Sequence, residues 1–140
     1  MPVVHFHISD EYTKTQCEEL SSKASLLYSD ILSSPIERVR VFINQYPAHG
    51  MSVAGNPRSL GGQSASYFDF IVLEGRPLDQ CHALLDGFTS LVADILGEEK
   101  SLVRGSCRPV PPQYWGIGGT AASAVRTSEI NDRKLTANKV

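Results

Sequence analysis

The chain has 140 residues, a formal net charge of −2 and 20% charged residues, so it is long enough to bury the core of one ordinary domain. Because this charge balance is not that of a nucleic-acid-binding protein, and no apolar run approaches the roughly 20 residues that cross a bilayer, we expect neither nucleic acid nor a membrane as a partner. The three cysteines lie far apart without metal-ligand spacing, and no basic-then-apolar leader opens the chain, which together favour a cytoplasmic location and no metal site.

The first half of the chain predicts a strand, a helix and a second strand. The first strand covers residues 2–8, where β-branched and aromatic residues predominate. Ser9-Asp10 offers an N-cap, and apolar or small residues then recur at spacings of three and four up to Ser33-Ser34-Pro35, which predicts an amphipathic helix of about five turns. The second strand covers 39–43. Residues 44–65 are rich in glycine and proline and predict a small hairpin and a connector.

The second half predicts the same order of elements. Residues 67–73 are apolar and aromatic and predict a strand. Residues 77–96 follow with helical spacing, and Gly97 supplies a C-terminal stop. A shorter and weaker strand is predicted over 101–107, ahead of a cluster of prolines, and the glycine-rich residues 115–119 predict a tight hairpin.

The two halves are related as repeats. When the chain is slid along itself by 64 residues, so that Tyr12 meets Arg76, many identities fall on one ungapped diagonal. They include Phe6 with Phe70, Gln16-Cys17 with Gln80-Cys81, Asp30-Ile31-Leu32 with Asp94-Ile95-Leu96, Val39-Arg40 with Val103-Arg104, and Gly55 with Gly119. We therefore interpret residues 1–126 as a single domain made of two βαβ repeats, about 1–62 and 66–126, followed by a polar tail over 127–140 that is loose or lies across a neighbouring subunit.

Neither repeat has enough helix to cover its own strands, so the two should share one sheet. Right-handed crossovers in both repeats would place both helices on one face of a four-stranded α/β sheet. The other face, expected to be rich in valine, isoleucine and phenylalanine, then needs a cover. Self-association into a ring would supply it and would also protect the sheet edges, so we expect a homo-oligomer.

Pro2 is the first candidate for chemistry. An initiator methionine is usually removed when the next residue is small, which would leave a secondary amine at the start of the chain. An α-amino group titrates near pH 8 in model peptides, and burial or neighbouring cations disfavour its protonated form, so this amine suits proton transfer next to a carbonyl. The structural alternative is that Pro2 only begins an edge strand, where its missing N–H is tolerated. Retention of Met1 would block the chemistry.

Three arginines are candidates for binding an anion. Arg76 follows a strand and a glycine at a predicted helix N-terminus, where unpaired backbone donors and the helix dipole favour negative charge. Its guanidinium could hold a carboxylate with two hydrogen bonds, and the alternative is an ordinary surface arginine. Arg40 and Arg104 occupy equivalent positions in predicted strands, where a cation either faces solvent or serves a site.

Other motifs carry weaker signals. The hairpin that begins at Trp115 lacks the Lys-Ser/Thr of a phosphate loop, so Trp115 either walls an apolar pocket or packs against a neighbour. His5 and His7 share a strand face, but no carboxylate or cysteine lies at ligand spacing, which favours sheet histidines over a metal pair. Cys17 and Cys81 occupy equivalent helix positions and are interpreted as small core residues.

In combination these features resemble the tautomerase superfamily, and specifically a fused, two-repeat form of 4-oxalocrotonate tautomerase. The resemblance covers the chain to about Arg126. The first half contributes the proline and Val39-Arg40-Val41-Phe42-Ile43. In the second half three stretches keep the family's order and spacing: Ile71-Val72-Leu73-Glu74-Gly75-Arg76, Leu102-Val103-Arg104 and Trp115-Gly116-Ile117-Gly118-Gly119-Thr120-Ala121-Ala122-Ser123.

The resemblance implies a trimeric, cofactor-free keto–enol isomerase that acts on a small carboxylated enol or 2-oxo acid. Pro2 would be the proton shuttle, and Arg76 would bind the substrate carboxylate. Either Arg40 or Arg104 would bind the dienol oxygen and a carboxylate, and Trp115 would keep the pocket apolar. In the family the site is shared between paired βαβ units, so Pro2 of the first repeat would meet Arg76 and Trp115 of the second.

The two repeats differ at the positions to which the resemblance assigns a role. Ser66 replaces the proline in the second repeat. Tyr12 replaces the arginine and Met51 replaces the aromatic residue in the first repeat. The resemblance therefore implies one site per chain and three sites per trimer.

The chain also resembles the cis-3-chloroacrylic acid dehalogenase branch, from which it departs at several positions. That branch activates water with a histidine and a glutamate, where Ser29 and Trp115 stand here, and it carries a second arginine where this chain has Leu73, a candidate substrate-binding residue. Hydrolytic dehalogenation or hydration is therefore less favoured than proton transfer. Decarboxylation stays open, because Glu37 lies near the place where that branch has an acid. A non-enzymatic oligomeric binding protein with the same fold is the alternative from another class.

Overall fold

A four-stranded sheet with two long helices on one face forms the centre of the molecule in the computed structural model, which describes residues 2–126, 130–132 and 135. The strands are β1 (Val3–Ser9), β2 (Arg40–Tyr46), β3 (Ser52–Val53), β4 (Asn56–Pro57), β5 (Tyr67–Leu73), β6 (Arg104–Val110), β7 (Gly116–Ile117) and β8 (Thr120–Ala121). The helices are α1 (Lys14–Leu32), α2 (Leu78–Leu96) and the short α3 (Ala122–Val125).

The sheet has the strand order β2-β1-β5-β6, with two parallel outer pairs and an antiparallel central pair. One long helix connects the strands of each parallel pair, and α1 and α2 pack against each other. The predicted tandem βαβ architecture is therefore confirmed. Because Val3 lies opposite Ile71 and His7 opposite Tyr67, the start of β1 lies beside the end of β5. The start of β5 lies at the other end of the sheet, about 20 Å away for strands of this length.

Helix α1 begins later than the sequence predicts. The expected N-cap is Ser9 or Asp10, but the cap is Thr13. The Gln16 N–H donates to the Thr13 hydroxyl (3.1 Å) and the Thr13 N–H donates to the Gln16 side chain (2.9 Å), which forms a capping box. Ser9 instead ends β1 fully buried, and Asp10 forms an ion pair with Arg58 (2.6 Å). Ser9, Asp10 and Thr13 are all residue types that can cap a helix. Because Ser9 pairs within the sheet as the last residue of β1, the helix begins later, with Thr13 as its cap.

Helix α2 agrees with its prediction. It runs from Leu78 to Leu96, with Pro77 in the N-cap position. Gly97 ends it in the left-handed conformation (φ +71°), which glycine adopts without strain. The turn that positions Arg76 thus lies directly between the end of β5 and the start of α2.

The last strand of each repeat extends further than predicted. Strand β2 continues to Tyr46 rather than ending at residue 43. Strand β6 begins only at Arg104, because residues 100–102 form a turn of 3-10 helix, and it continues through Pro109 to Val110. Proline is tolerated there because β6 is an edge strand, where a missing N–H removes no bond to a further strand.

The core lies between the sheet and the two helices. Alternate residues of β1 and β5 point toward the helices and are buried: Val4, Phe6, Ile8, Phe68, Phe70 and Val72. Tyr28 of α1 and Phe88 of α2 complete an aromatic cluster in which Phe88 makes edge contacts with Phe6, Phe68, Phe70 and Tyr28 at centroid separations of 5.3 to 5.6 Å. Burying an aromatic side chain of this size contributes about 2–3 kcal/mol, so this cluster anchors both helices on the sheet.

The other face of the sheet is only partly apolar. Phe42 is 50% exposed and Tyr67 is 40% exposed. They stand beside polar residues, since His7 bonds the Tyr46 hydroxyl (2.7 Å) and the Asp69 carboxylate (3.1 Å). The expectation of a face dominated by valine, isoleucine and phenylalanine was therefore wrong, because strand residues that pack against another surface need not be aliphatic.

Among the described residues, no helix combines the length and the apolar character needed to cross a bilayer. The prediction of a loose tail over 127–140 falls mostly outside the residues that the structure describes. The domain boundaries at residues 62, 66 and 126 stay predictions.

Candidate functional site

A small pocket lies at the end of the sheet where β1 begins and β5 ends. Pro2 is fully buried in it. The pocket is lined by residues from both repeats: Pro2, Leu32, Ser34, Arg38, Ile71, Val72, Leu73, Arg76 and Arg126. We call it the Pro2 pocket.

Pro2 is held in place by the edge strand β2. Its carbonyl accepts a hydrogen bond from the Arg40 N–H (2.8 Å), which extends the pairing of β1 with β2 by one residue. Because proline has no N–H to place in the ladder, the nitrogen of Pro2 is not needed by the sheet. The fold therefore fixes the proline ring while leaving its nitrogen outside the strand pairing.

Arg76 reaches the Pro2 pocket from the turn between β5 and α2. Gly75 adopts φ +99°, a conformation that side-chain-bearing residues rarely adopt, and this sets the direction of the following residue. The Arg76 guanidinium donates through Nη1 to the carbonyl of Leu32 (2.7 Å), the last residue of α1. That bond satisfies a carbonyl at a helix C-terminus, where a positive charge is favoured. A guanidinium carries five donors, so it can make more than one such contact at a time.

One side of the Pro2 pocket is apolar. Leu73 is 3% exposed and lines the pocket together with Ile71. The Tyr28 hydroxyl, buried below, bonds the carbonyls of Ile71 and Val3, which pair with each other across β1 and β5. Burial raises the pKa of Tyr28, so its hydroxyl stays a hydrogen-bond donor. Tyr28 thus fixes the two strands at this end of the sheet.

Arg40 and Arg104 lie at opposite ends of the sheet. The Arg40 backbone bonds Pro2, whereas the Arg104 N–H donates to the carbonyl of Ser66 (3.1 Å), at the start of β5. Both side chains are exposed, and each donates to a carbonyl three residues before it, Arg40 to Glu37 (2.8 Å) and Arg104 to Ser101 (2.7 Å). Of the two arginines that the sequence proposes, Arg40 is therefore the neighbour of Pro2 within one chain.

Trp115 lies in a groove that adjoins the Pro2 pocket. The groove is lined by Glu37, Arg38, Arg40, Trp115, Gly116, Ile117, Gly118 and Arg126. The hairpin of β7 and β8, as predicted from the glycine pattern, carries Trp115 at its base, and the Trp115 carbonyl accepts from the Ala122 N–H (2.7 Å). Arg38 and Arg126 line both spaces. Trp115 is thus brought next to the Pro2 pocket rather than into its wall.

Sequence reasoning missed Arg38 and Arg126. Arg38 ends the short 3-10 helix Ile36–Arg38 that leads into β2, and Arg126 follows α3. The sequence does contain a signal that could have identified Arg38. In a parallel βαβ unit the segment that enters the second strand lies at the same end of the sheet as the start of the first strand, which here places Arg38 near Pro2. Arg126 has no comparable signal, since its position depends on how the C-terminal hairpin folds back on the sheet.

The position equivalent to Pro2 in the second repeat is Ser66, and its surroundings are filled. The Glu98 carboxylate accepts from the Ser66 N–H (2.8 Å), the Ser66 hydroxyl (2.6 Å) and the Tyr12 hydroxyl (2.5 Å). Burial and, after it, the bond to Glu98 raise the pKa of Tyr12. We call these three residues the Glu98 network.

The histidines and cysteines have structural surroundings. The two bonds of His7 to Tyr46 and Asp69 fit the interpretation as a sheet histidine. No group of three metal-ligating side chains is found in the part of the chain that the structure describes. The Cys107 sulfur lies 2.9 Å from that of the buried Cys81. Burial, followed by this contact, raises the pKa of Cys107 to about 12, which keeps it a neutral thiol and a poor nucleophile.

Comparison with curated proteins finds relatives about as long as one repeat. A 2-hydroxymuconate tautomerase from Pseudomonas fluorescens is 37% identical over 59 residues, which are 42% of this chain and 94% of that protein. A 2-hydroxymuconate tautomerase from Pseudomonas putida is 36% identical over 59 residues, with the same shares covered. No protein-family model matches the chain.

Solved structures match nearly the whole chain. A native fused 4-OT has a TM-score of 0.83 at 23% identity, covering 88% of this chain and 98% of that chain. A fused 4-OT described as a symmetric trimer has a TM-score of 0.81 at 22% identity, covering 89% and 98%. At these identities the matches establish that the two-repeat fold is shared.

Proposed function

The chain belongs to the tautomerase superfamily, and we propose that it is a cofactor-independent keto–enol isomerase acting on a small carboxylated enol or 2-oxo acid. The observation that carries the proposal is that Pro2 and Arg76, which come from different repeats, line one pocket. A buried candidate base and a cation at its side are what enolisation next to a carboxylate requires.

Pro2 is the proton shuttle in this proposal. Once Met1 is removed, its secondary amine belongs to a residue that lines one pocket with Arg38, Arg76 and Arg126, and positive charge there disfavours a further cation and favours the neutral amine. The neutral amine takes the proton from the enol hydroxyl or from carbon and returns it at the other position. The apolar wall around Leu73 strengthens each electrostatic contact by excluding water.

The arginines stabilise the negative charge of the substrate. Arg76 binds the carboxylate next to the reacting carbons, and its bond to the Leu32 carbonyl holds its side chain in place. Arg40, whose backbone N–H bonds the Pro2 carbonyl and whose side chain lines the adjoining groove, stabilises the enolate oxygen. Trp115 closes the adjoining groove against water.

We propose that the protein is a homotrimer. The support is that solved structures with the same fold include a trimer, and that the open face of the sheet exposes large side chains such as Phe42 and Tyr67. Exposed aromatic patches of this kind mark interfaces between proteins. Sedimentation velocity of the purified protein, which gives its mass in solution, checks this.

The decisive variant is Pro2→Ala. It keeps an N-terminal amine but removes the secondary amine and the ring that the sheet holds, so kcat/KM for ketonisation of phenylenolpyruvate or 2-hydroxymuconate should fall by about 100-fold or more. Ser66→Ala, at the equivalent position of the other repeat, should keep the kcat of the parent. Equal turnover by Pro2→Ala and the parent would show the assignment to be wrong.

Two further measurements separate the alternatives. Intact mass shows whether Met1 is removed, and retained Met1 would favour a non-enzymatic binding protein. Release of chloride from 3-chloroacrylate, or of carbon dioxide from a small oxo acid, at rates above ketonisation would instead identify a dehalogenase, hydratase or decarboxylase of the same superfamily.

A further inference from the structure

The buried face of β6 differs from that of the equivalent strand β2. In β2 the side chains of Val41 and Ile43 pack against the core between the sheet and the helices. The positions 64 residues later are Gly105 and Cys107. A Cβ atom added at Gly105 would lie 2.2 Å from the ring of Phe68, so there is no room for a larger residue at that position. The edge strand β6 is therefore attached to the helix layer through smaller side chains than β2.

Cys107 of β6 contacts Cys81 of helix α2. Cys107 is the register partner of Phe70, which is buried toward the helices, so both side chains point to the same face of the sheet. Cys81 is 6% exposed on the buried side of α2. The two Sγ atoms are 2.9 Å apart, and both cysteines are free thiols. Because a disulfide bond is about 2.05 Å long, a movement of about 1 Å would join them.

The first repeat carries the helix cysteine without the strand cysteine. Cys17 is the equivalent of Cys81, and Ile43 is the equivalent of Cys107. The βαβ arrangement therefore forms in the first repeat without a pair of thiols between helix and strand. Cys17 is thus a control within the same chain, since it has the same place on its helix and an isoleucine at the opposing strand position.

We propose that Cys81 and Cys107 form a reversible disulfide that joins α2 to β6 when the protein is exposed to a low-molecular-weight disulfide such as oxidised glutathione. Cys107 is the more exposed of the two, and its thiolate attacks one sulfur of the oxidised glutathione and releases one glutathione thiolate. The Cys81 thiolate then attacks the Cys107 sulfur of this mixed disulfide and releases the second. The protein loses two electrons and two protons, and the oxidised glutathione gains them as two molecules of glutathione.

The disulfide should stabilise the fold and leave the Pro2 pocket as it is. It links residues 26 positions apart, which restricts the unfolded chain, and it adds a covalent bond where β6 has small side chains. Neither cysteine lines the Pro2 pocket or the groove that contains Trp115. The reaction of the folded protein should be slow at neutral pH and faster as the pH rises, because the raised pKa of Cys107 keeps it a neutral thiol.

Mapping of the disulfide by mass spectrometry tests whether the bond forms. The protein is incubated with oxidised and reduced glutathione at about pH 8.5, both folded and during refolding from urea, where every thiol is accessible, and free thiols are then alkylated. The expected product is about 2 Da lighter than the reduced protein before alkylation, joins the peptides of Cys81 and Cys107, and carries an alkylated Cys17. A bond to Cys17, glutathione retained on Cys107, or alkylation of both Cys81 and Cys107 after refolding with excess oxidised glutathione would overturn the proposal.

Urea unfolding at fixed protein concentration tests the effect of the bond. The midpoint of the oxidised parent should lie about 1–2 M above that of the reduced parent, and Cys17→Ser should show the same rise. Cys81→Ser and Cys107→Val should show no rise, and each is compared with itself before and after oxidation, so that its starting stability does not enter. Equal midpoints of the oxidised and reduced parent would overturn the stabilising role. The inference does not depend on the proposed function, since neither experiment requires turnover.

Discussion

At one end of the sheet β1 begins beside the end of β5, and the space between the repeats is a pocket with Pro2 in its wall. At the other end β5 begins beside the end of β1, and the Glu98 network occupies the equivalent space. The backbone has the same arrangement at both ends. In each repeat the arginine that begins the second strand donates its N–H to the carbonyl of the residue before the first strand, Arg40 to Pro2 and Arg104 to Ser66.

The difference between the ends follows from one nitrogen. The nitrogen of Ser66 belongs to an internal peptide bond and donates a hydrogen bond to Glu98, so it cannot act as a base. A second site of the same chemistry is therefore unavailable to this end whatever side chains surround it. At this end the hydrogen bonds to Glu98 occupy the space that corresponds to the Pro2 pocket, and they stabilise the fold.

After Pro2→Ala, the largest expected effect comes from Arg76→Ala at the Pro2 end. Loss of a charged bond to the substrate carboxylate should lower kcat/KM for ketonisation by about 10- to 100-fold, and loss of the bond to the Leu32 carbonyl should lower the free energy of unfolding by about 1 kcal/mol. Arg76→Lys should restore part of the activity. If Arg76→Ala has the kinetics of the parent, the two repeats do not share a site.

Glu98→Ala tests whether the Glu98 network serves the stability of the protein and not its catalysis. It leaves the buried Ser66 with an unpaired N–H and hydroxyl, and we expect the free energy of unfolding to fall by about 2–3 kcal/mol with kcat for ketonisation unchanged. Ser34 is the equivalent residue at the Pro2 end, and Ser34→Ala should cost less than about 1 kcal/mol. Urea unfolding at fixed protein concentration measures both. A loss of activity in Glu98→Ala equal to that of Arg76→Ala would contradict the division of roles.

Alkaline pH should weaken the Glu98 network. An unfolded tyrosine ionises near pH 10, whereas burial and Glu98 raise the pKa of Tyr12 in the folded protein. The contribution of Tyr12 to stability is therefore complete below pH 10 and is lost as the pH rises above it.

The urea midpoint of Tyr12→Phe should decline less steeply above pH 10 than that of the parent. Part of the decline should remain, because burial also raises the pKa of Tyr28. Tyr114 is 78% exposed, so Tyr114→Phe is the matched control and should follow the parent. Identical curves for Tyr12→Phe and the parent would contradict the assigned role of the Tyr12 hydroxyl.

Much of the fold could be predicted from local patterns. Strand β5 and helix α2 match their predicted ranges to within one residue, because alternation, helical spacing and the stop at Gly97 are local signals. The start of α1 and the limits of β6 were predicted wrongly. Strand pairing decides them, since it places Ser9 inside β1 and Pro109 inside an edge strand.

The candidate site could be predicted in part. The resemblance to the tautomerase superfamily implies that Pro2 and Arg76 serve one site, and both residues line one pocket in the structure. Arg38, Arg126 and the bonds of Tyr28 were not predicted, because each depends on which segments meet at the end of the sheet. The roles of these residues in catalysis stay predictions.

By itself the sequence determined the duplicated βαβ plan, the two long helices, and the asymmetry of proline and arginine between the repeats, because periodicity and identity at one offset are properties of the chain alone. The tertiary structure decided what that asymmetry means. Antiparallel pairing of β1 with β5 places the start of one strand beside the end of the other strand. As a result Pro2 lines a pocket together with Arg76 and Arg38. At the other end, Glu98 accepts hydrogen bonds from Ser66 and Tyr12 instead.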